Sequence, residues 1–388
     1  MAERANGVIV NRLPSLTWNR LRVNHAFVNF DELPETNEEA VFTGQHEDQV
    51  KKETMTSADA ERWADGFSRG IRREAYIAGK QATYQEQHFA TALGRDFTDL
   101  IRDLAPETAV YTVEEGSKLD KPVILNWDFG KGGRAAAQQV IYARKGSEAT
   151  FLLNLSSERD ALGHAAIETK VIIEEGAALH LMKTNLLGRG FVLLDDSAAV
   201  VGDHAEFDFV QVELGGAKTY TGCYADQCGD HSLFKVQTGY LADQDHLMDI
   251  NYVAVQRGKK TDSRISVKGS LRDQATKVFR GTIDFRKGAK GSVGDEQEDV
   301  LILDPKVTNK TVPVVLTEEE DVDGRHGATL GNLSPDILFY LGSRGIDKDA
   351  AEMLMTRGRL MSVVNLIPDE ETVARSHHFI REAFEANE

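Results

Sequence analysis

Lys145-Gly146-Ser147-Glu148-Ala149-Thr150-Phe151-Leu152 comes back as Glu175-Gly176-Ala177-Ala178-Leu179-His180-Leu181, then as Gly202-Asp203-His204-Ala205-Glu206-Phe207-Asp208-Phe209, and again as Gly229-Asp230-His231-Ser232-Leu233-Phe234-Lys235-Val236. Each copy is a Gly or Asp turn followed by a strand in which apolar and polar residues alternate. Gly146, Gly176, Gly202 and Gly229 stand at near-equal intervals. Their spacing lies in the range of about 20–50 residues typical of solenoids, whose repeats bury an apolar face only when a neighbour stacks on it. A β-sandwich built of meanders is the competing architecture. It needs tight Asn-Gly hairpins, and these are nearly absent from this part of the chain. Short Gly/Asp corners joining strands that pair in parallel at about 4.8 Å describe a β-helix, and the pattern favours that fold.

The β-rich character runs from Thr108 to Leu316, beginning with Val110-Tyr111-Thr112-Val113, Val123-Ile124-Leu125 and Gln139-Val140-Ile141-Tyr142. Upstream, residues 1–107 read as helix and loop. Leu16, Trp18, Leu21, Val23, Ala26, Phe27 and Phe30 crowd a segment that Ser15 or Thr17 can cap. Leu33-Pro34 marks a turn, and a polar stretch runs to Glu53. A longer helix is expected from Ser57, with Trp63, Phe67, Ile71, Ala75 and Ala78 on one face; Gly66, Gly70 and Gly79 weaken it. A last helical piece spans Phe97 to Leu104.

Downstream, Ser334-Pro335 is an N-cap and first-turn pair for a helix carrying Ile337, Leu338 and Leu341, with Gly345 as its C-cap. Asp347 can cap a second helix with Ala351, Leu354, Met355, Met361, Val364 and Leu366, and a third holds Val373, His377, Ile380 and Phe384. Met353, Leu354, Met355, Leu360 and Met361 exceed what three short helices bury among themselves, which suits partner docking. The expected domains are an N-terminal helical one (1–107), a β-helix core (108–322) and a C-terminal helical one (323–388).

Between core and helices stands Asp323-Gly324-Arg325-His326-Gly327-Ala328-Thr329-Leu330-Gly331, preceded by Glu318-Glu319-Glu320-Asp321. His326 is expected where the strand region stops, with Gly327 and Gly331 bracketing a small turn. A neutral imidazole beside carboxylates can hold a divalent metal or an iron–sulfur intermediate. The plainer alternative is a structural junction.

The chain has 388 residues, 41% hydrophobic and 28% charged, the composition of a folded protein with a large core. Its 45 Lys and Arg against 62 Asp and Glu give a net charge of −17. Such a surface repels phosphate backbones and disfavours general nucleic-acid binding. Cys223 and Cys228, the only cysteines, can form neither a disulfide framework nor a four-thiolate cluster site. Their spacing fits no zinc pattern, and they read as packing groups. His377 and His378 cannot face one way on a helix, and Lys131-Gly132-Gly133 lacks the spacing of a phosphate loop. Met1–Leu13 holds no apolar core of signal-peptide length, and no apolar run approaches the roughly 20 residues of a membrane span. No membrane association is expected, and a cytoplasmic location is.

His326-Gly327-Ala328-Thr329-Leu330-Gly331 followed by Leu338-Phe339-Tyr340-Leu341-Gly342-Ser343-Arg344-Gly345-Ile346 resembles the C-terminal signature of the SufB/SufD family, scaffold subunits of the Suf iron–sulfur cluster assembly machinery. Phe279-Arg280-Gly281-Thr282-Ile283, Gln297, Leu301-Ile302-Leu303 and Pro313 resemble that family's last strands. The similarity is close from about 250 to 367 and one of layout elsewhere. It implies a right-handed parallel β-helix between two helical domains, in a non-catalytic subunit. It also implies docking of a SufC-like ABC ATPase on the C-terminal helices, for which Leu338, Phe339, Tyr340, Arg344, Met353, Met355 and Met361 are the candidate contacts. The β-helix would pair with a SufB-like subunit or a second copy, His326 standing at that interface as a candidate iron or Fe–S ligand. No tightly bound cofactor is implied, only transient iron or cluster. The family usually has cysteine two positions before the histidine, where this chain has Gly324, and a histidine is frequent where it has Gln256. The lack of the SufB-like cysteines points to a SufD-like role. Two alternatives are a carbohydrate-active β-helix enzyme such as a polysaccharide lyase, and a homodimeric scaffold that only tethers the ATPase.

Overall fold

The computed structural model describes residues 6–17, 19–29, 40–77 and 89–385, with side chains of 73–77 excepted. From β5 (Glu107–Val113) and β6 (Val123–Asp128) to β19 (Thr308–Thr317) and β20 (Val322–Asn332), successive strands alternate between two nine-stranded sheets. Within each sheet these strands pair in parallel and in register. Glu148, Ala178, Glu206 and Leu233 lie opposite one another in turn, each one coil on from the last. The chain is a β-solenoid, as the repeat predicts.

In-register stacking puts like residues over like. Phe151, Leu181, Phe209, Val236 and Ile265 form one continuous interior ladder, fully buried. Phe207 and Phe234 stack with ring centroids 5.6 Å apart and planes 9° from parallel. No coil could bury such a face by itself, so each owes its strands to the next.

The corners repeat as strictly. Gly146, Gly176, His204, His231, Lys260 and Gly291 all take positive φ, between 53° and 74°. The N–H of each donates to a carbonyl one coil on: those of Glu175, Asp203, Asp230, Lys259, Lys290 and Asp321. The left-handed turn thus passes from glycine to histidine and lysine and back, although a non-glycine residue there costs on the order of 1 kcal/mol. Gly202 and Gly229 do not occupy this corner position. They stand just before it, where Gly229 packs directly on the backbone of Gly202.

One end of the solenoid finishes in two antiparallel strands. β3 (Val41–Gln45) pairs antiparallel with β6, and β4 (Lys51–Thr56) with β5. Both lie in the polar stretch that reads as loop, because strand formation there is imposed by the sheet edge they cover rather than by local propensity. The helix expected around Leu16–Phe30 is likewise not formed. Residues Asn19–Leu21 make one 3₁₀ turn, and Ala26–Asn29 (β2) pairs antiparallel with Gly7–Val10 (β1). Arg22 takes φ 52°, and the Asn24 side chain accepts from the Thr17 N–H and hydroxyl, so local side-chain bonding replaces helical bonding. Trp18, Phe30, the Leu33-Pro34 turn, Ala78 and Gly79 lie outside the described residues. Helix α1 (Ser57–Ile77) and α2 (Arg95–Leu104) match the expected helices and lie on the outer face of the β5–β19 sheet.

Buried polar ties hold this N-terminal region down. Arg72 of α1 shares the Asp226 carboxylate with Arg257 at 2.8 and 2.7 Å. Asp196 accepts from the Ala92 and Leu93 N–H groups. Arg280 forms a two-point pair with Asp249, donates to the Val23 carbonyl, and Asn11 donates to the same carboxylate at 2.7 Å.

The C-terminal helices are α3 (Pro335–Gly342), α4 (Lys348–Val364) and α5 (Glu370–Glu385). Ser334 and Asp347 cap α3 and α4 by accepting from Ile337 and Ala350 N–H. α3 ends at Gly342, and Gly345 supplies the left-handed residue after it at φ 82°. Leu360, Val363, Val364, Ile367, Ile380 and Phe384 pack onto Leu152, Met182, Val210, Val212 and Leu241, on the outer face of the other sheet. Of the apolar residues expected to be in excess, Leu360 is buried there, Met353 and Met361 pack half-buried against it, and Leu354 stays exposed.

Candidate partner interfaces and the open end

The other end of the solenoid finishes in parallel strands. β19 and β20 are the outermost strands of the two sheets and pair on one side only. Neither is shielded by the fold: β20 is exposed or half-buried along its whole length. Unpaired strand edges bearing apolar side chains are sites of strand addition unless covered. Here Val315 and Leu330 are both exposed, Leu330 at 59%.

His326 lies in the middle of β20, not at a strand–helix junction, and Gly327 and Gly331 belong to the same strand rather than to a turn. The sheet ladder runs on to Asn332 because β18 (Ser292–Ile302) offers partners along its full length. A Cβ on Gly324 would meet Phe285 and Val315 of the opposite sheet at 3.0 and 3.2 Å. Gly324 therefore faces the interior, and with a period of two so do His326, Ala328 and Leu330.

Directly beneath His326, its register partner on β18 is Glu296. Glu296 also points inward, against Gly281 on β17 (Thr276–Phe285), where a Cβ would come within 2.6 Å of Oε2. It is 2% exposed, and Oε2 has no hydrogen-bond partner. Burial pushes its carboxyl up to about 8, reinforced by the Glu298 carboxylate against the opposing Lys277. Glu298, next along the same inward face, has both oxygens engaged, one by Lys277 and the other by the Thr311 hydroxyl at 2.6 Å. Phe279-Arg280-Gly281 now reads residue by residue. Phe279 fills the interior, Arg280 ties down the N-terminal segment outside, and Gly281 leaves room for Glu296.

The acidic run forms the rim of this end. Glu319 accepts from the Gly288 N–H, which holds its carboxyl below the usual range, and Asp323 is lowered by its pair with Arg325. Among the described residues, no three His, Cys, Asp or Glu side chains are grouped to hold a metal ion. Gln256 is buried at the end of its strand and donates to the Val293 carbonyl at 2.8 Å. Cys223 and Cys228 are fully buried; burial raises both thiols, so neither is a ready nucleophile.

A second exposed surface lies on the helices. Ile337, Phe339, Tyr340 and Leu354 are exposed, Phe339 at 79%, and the Arg344 guanidinium sits 4.9 Å over the Tyr340 ring. Leu338 and Met355 are half-buried beside them. Met353 and Met361 are half-buried as well and pack against the solenoid's outer apolar cluster. His378 pairs with Glu382 at 3.2 Å, while His377 is half-buried, so the two share no site. No helix among the described residues is long and apolar enough to cross a membrane.

This open-ended solenoid with its helical appendage agrees with comparison to known proteins. Residues 129–359 match the family model described as SUF system FeS cluster assembly, SufBD core domain. The chain belongs to the SufBD core family. The match takes in the coils from β7 (Gly132–Ala143) through β20, all of α3 and most of α4, and so both signature blocks. Among SufBD relatives, the Bacillus subtilis iron–sulfur cluster assembly protein SufD is 26% identical over 235 residues, 60% of this chain and 53% of that protein. The chloroplastic SufBD family protein ABCI8 of Arabidopsis thaliana is 28% identical over 169 residues, 44% of this chain and 30% of that one. Chloroplastic ABCI7 of the same plant is 22% identical over 292 residues, 70% and 60% respectively. The chain thus spans about half the length, or less, of the first of these SufBD relatives.

Sequence reading alone passes over Glu296. Its signal is present in Gly294-Asp295-Glu296-Gln297-Glu298, where alternate carboxylates of a strand share the inward face, one coil before His326.

Proposed function

We propose that the chain is a SufD-like scaffold subunit of iron–sulfur cluster assembly, not itself an enzyme, which pairs through β19 and β20 with a SufB/SufD-type subunit and docks a SufC-type ATPase on α3 and α4. The observation that carries the reading is the asymmetry of the solenoid. One end finishes in the antiparallel strands β3 and β4, while the other finishes in the parallel strands β19 and β20. Family membership supplies the biological setting. On this reading the chain divides into an N-terminal region (1–107), a solenoid (108–322) and a C-terminal unit (323–388) whose first strand completes the scaffold surface. ATP-driven movement of the docked ATPase would be transmitted through α4, which packs on the solenoid, to the strands beside His326.

Co-purification after co-expression with SufB- and SufC-type subunits tests both contacts separately. Phe339→Glu with Tyr340→Glu is expected to abolish ATPase capture while leaving strand-edge pairing intact. Leu330→Arg is expected to do the reverse. Unchanged capture by both variants overturns the assignment.

A further inference from the structure

At the corner where other coils carry Gly146, Gly176 and Gly291, two adjacent coils carry His204 and His231. Both side chains are exposed, and their rings lie within 4° of parallel with centroids 5.0 Å apart. Among the described residues neither ring makes a hydrogen bond. We propose that this pair is a two-histidine chelate on the flank of the solenoid for one divalent ion of the zinc, copper or nickel class. His231 precedes β14 (Leu233–Ala242), which β16 (Asp262–Leu271) and β18 separate from β20, so the pair stands well away from His326. It is independent of the scaffold role.

The corner fixes both histidines. Each takes the left-handed backbone, at φ 53° and 56°, in a position that favours glycine. The His204 N–H donates to the Asp230 carbonyl at 2.9 Å, and the His231 N–H to the Lys259 carbonyl at 2.8 Å. Gly229, two residues before His231, packs directly on Gly202, two before His204, which sets the spacing of the two turns. Equivalent backbone on successive coils leaves the rings one coil repeat apart, 5.0 Å against a strand spacing of about 4.8 Å. A tetrahedral ion with metal–nitrogen bonds of about 2.0–2.1 Å needs its two nitrogens roughly 3.3 Å apart. Each ring therefore has to lean inward by somewhat less than about 1 Å, which rotation about the side-chain bonds of an exposed residue supplies.

The donor set narrows the ion. Imidazole suits Zn²⁺, Cu²⁺ and Ni²⁺, whereas Ca²⁺ and Mg²⁺ take oxygen ligands. Asp203 and Asp230 immediately precede the two histidines. Each accepts a backbone N–H from the next coil, that of Asp230 at 2.8 Å and that of Lys259 at 2.9 Å, so both stand as fixed negative charge beside the imidazoles. On the following coil the corner carries Lys259 and Lys260, and the run of ligating side chains ends there. Two protein ligands leave the remaining coordination positions to water. An ion shared by His204 and His231 ties one coil to the next, so its binding stabilises the folded solenoid.

The experiment uses the untagged full chain, stripped of metal with a chelator, and titrates it with Zn²⁺ by calorimetry and with Cu²⁺ by electron paramagnetic resonance. One tightly held ion per chain is expected, with two nitrogens on Cu²⁺ and a rise in Tm on adding Zn²⁺. His204→Asn and His231→Asn, which keep a residue tolerant of the left-handed backbone, are each expected to weaken Zn²⁺ binding at least tenfold and to abolish the rise in Tm. His204→Gly installs the residue that other coils use at this corner, so it removes the chelate while the fold stays intact, and the same loss is expected. His326→Ala, on the last strand, is expected to leave Zn²⁺ binding at this affinity unchanged. Absence of stoichiometric binding, a single nitrogen on Cu²⁺, tight binding retained by His204→Gly, or equal loss in His326→Ala each overturns the site. Capture of a SufC-type ATPase by His204→Gly is read in parallel and is expected to match the native chain. Retained capture with no metal effect refutes this site alone, whereas lost capture by the native chain refutes the scaffold reading.

Discussion

Replacing Asp249 by leucine tests whether the buried ties hold the N-terminal region to the solenoid. The carboxylate is almost fully buried and receives three hydrogen bonds from side chains: Arg280 at 2.5 and 3.1 Å and Asn11 at 2.7 Å. Leucine leaves the Arg280 guanidinium buried without its counter-charge. Breaking one partner of a buried pair costs about 3–5 kcal/mol, because the surviving charge keeps its desolvation penalty. The effect should be local. Arg280 and Asn11 connect the solenoid to β1, β2 and the segment between them, whose remaining apolar anchors are few, chiefly Val8, Val10 and Val28. Hydrogen exchange of peptides from 6–17 and 19–29 is therefore expected to lose protection by two or more orders of magnitude, with interior coils such as β12 (Glu206–Glu213) unaffected. Burial raises the Asp249 carboxyl despite Arg280 beside it, so the pair does not fully repay its own desolvation. Asp249→Leu with Arg280→Met should then recover most of the loss. A single variant within about 1 kcal/mol of the native chain in urea unfolding, or protection lost evenly along the solenoid, refutes the reasoning.

Phe207→Ala removes one ring of the stacked pair from a fully buried ladder and is expected to cost about 3–5 kcal/mol in chemical denaturation. Gly176→Ala places a side chain at φ 67° with open space around it, so backbone strain alone is expected to destabilise by about 1 kcal/mol. His246, buried and bonded to the Thr219 hydroxyl, is pushed down to about 4 by burial. Between pH 6.5 and 4 the unfolded chain binds the proton that the folded chain refuses, so this contribution is full above 6.5 and is lost on acidification; the stability difference between the native chain and His246→Gln should shrink across that window by about 3 kcal/mol. Cys223 and Cys228 are expected to resist alkylation in the native state and to react on denaturation, as mass spectrometry would read directly; rapid native labelling contradicts their burial.

Glu296 and His326 show where sequence reading stops. His326 is legible as a candidate from its chemistry and surrounding block, but its setting is not, because the glycines at 327 and 331 look like turn residues. In the fold they are strand glycines, and Gly324 stands close to Phe285 across the interior. Glu296 is invisible as a partner since a whole coil of chain lies between it and His326, and only the coil register sets one above the other. The half-burial of Met353 and Met361 against the solenoid is hidden for a related reason: helical spacing gives a face, but not which body that face meets.

The solenoid follows from the chain's own residues, because its repeat, its alternating strands and its capped C-terminal helices are local patterns written in neighbouring positions. Which strands form the two ends, and which carboxylate lies under the histidine, emerge only in three dimensions. Those outcomes depend on contacts between coils and on segments such as β3 and β4, whose strand conformation exists only because a sheet edge was there to receive them.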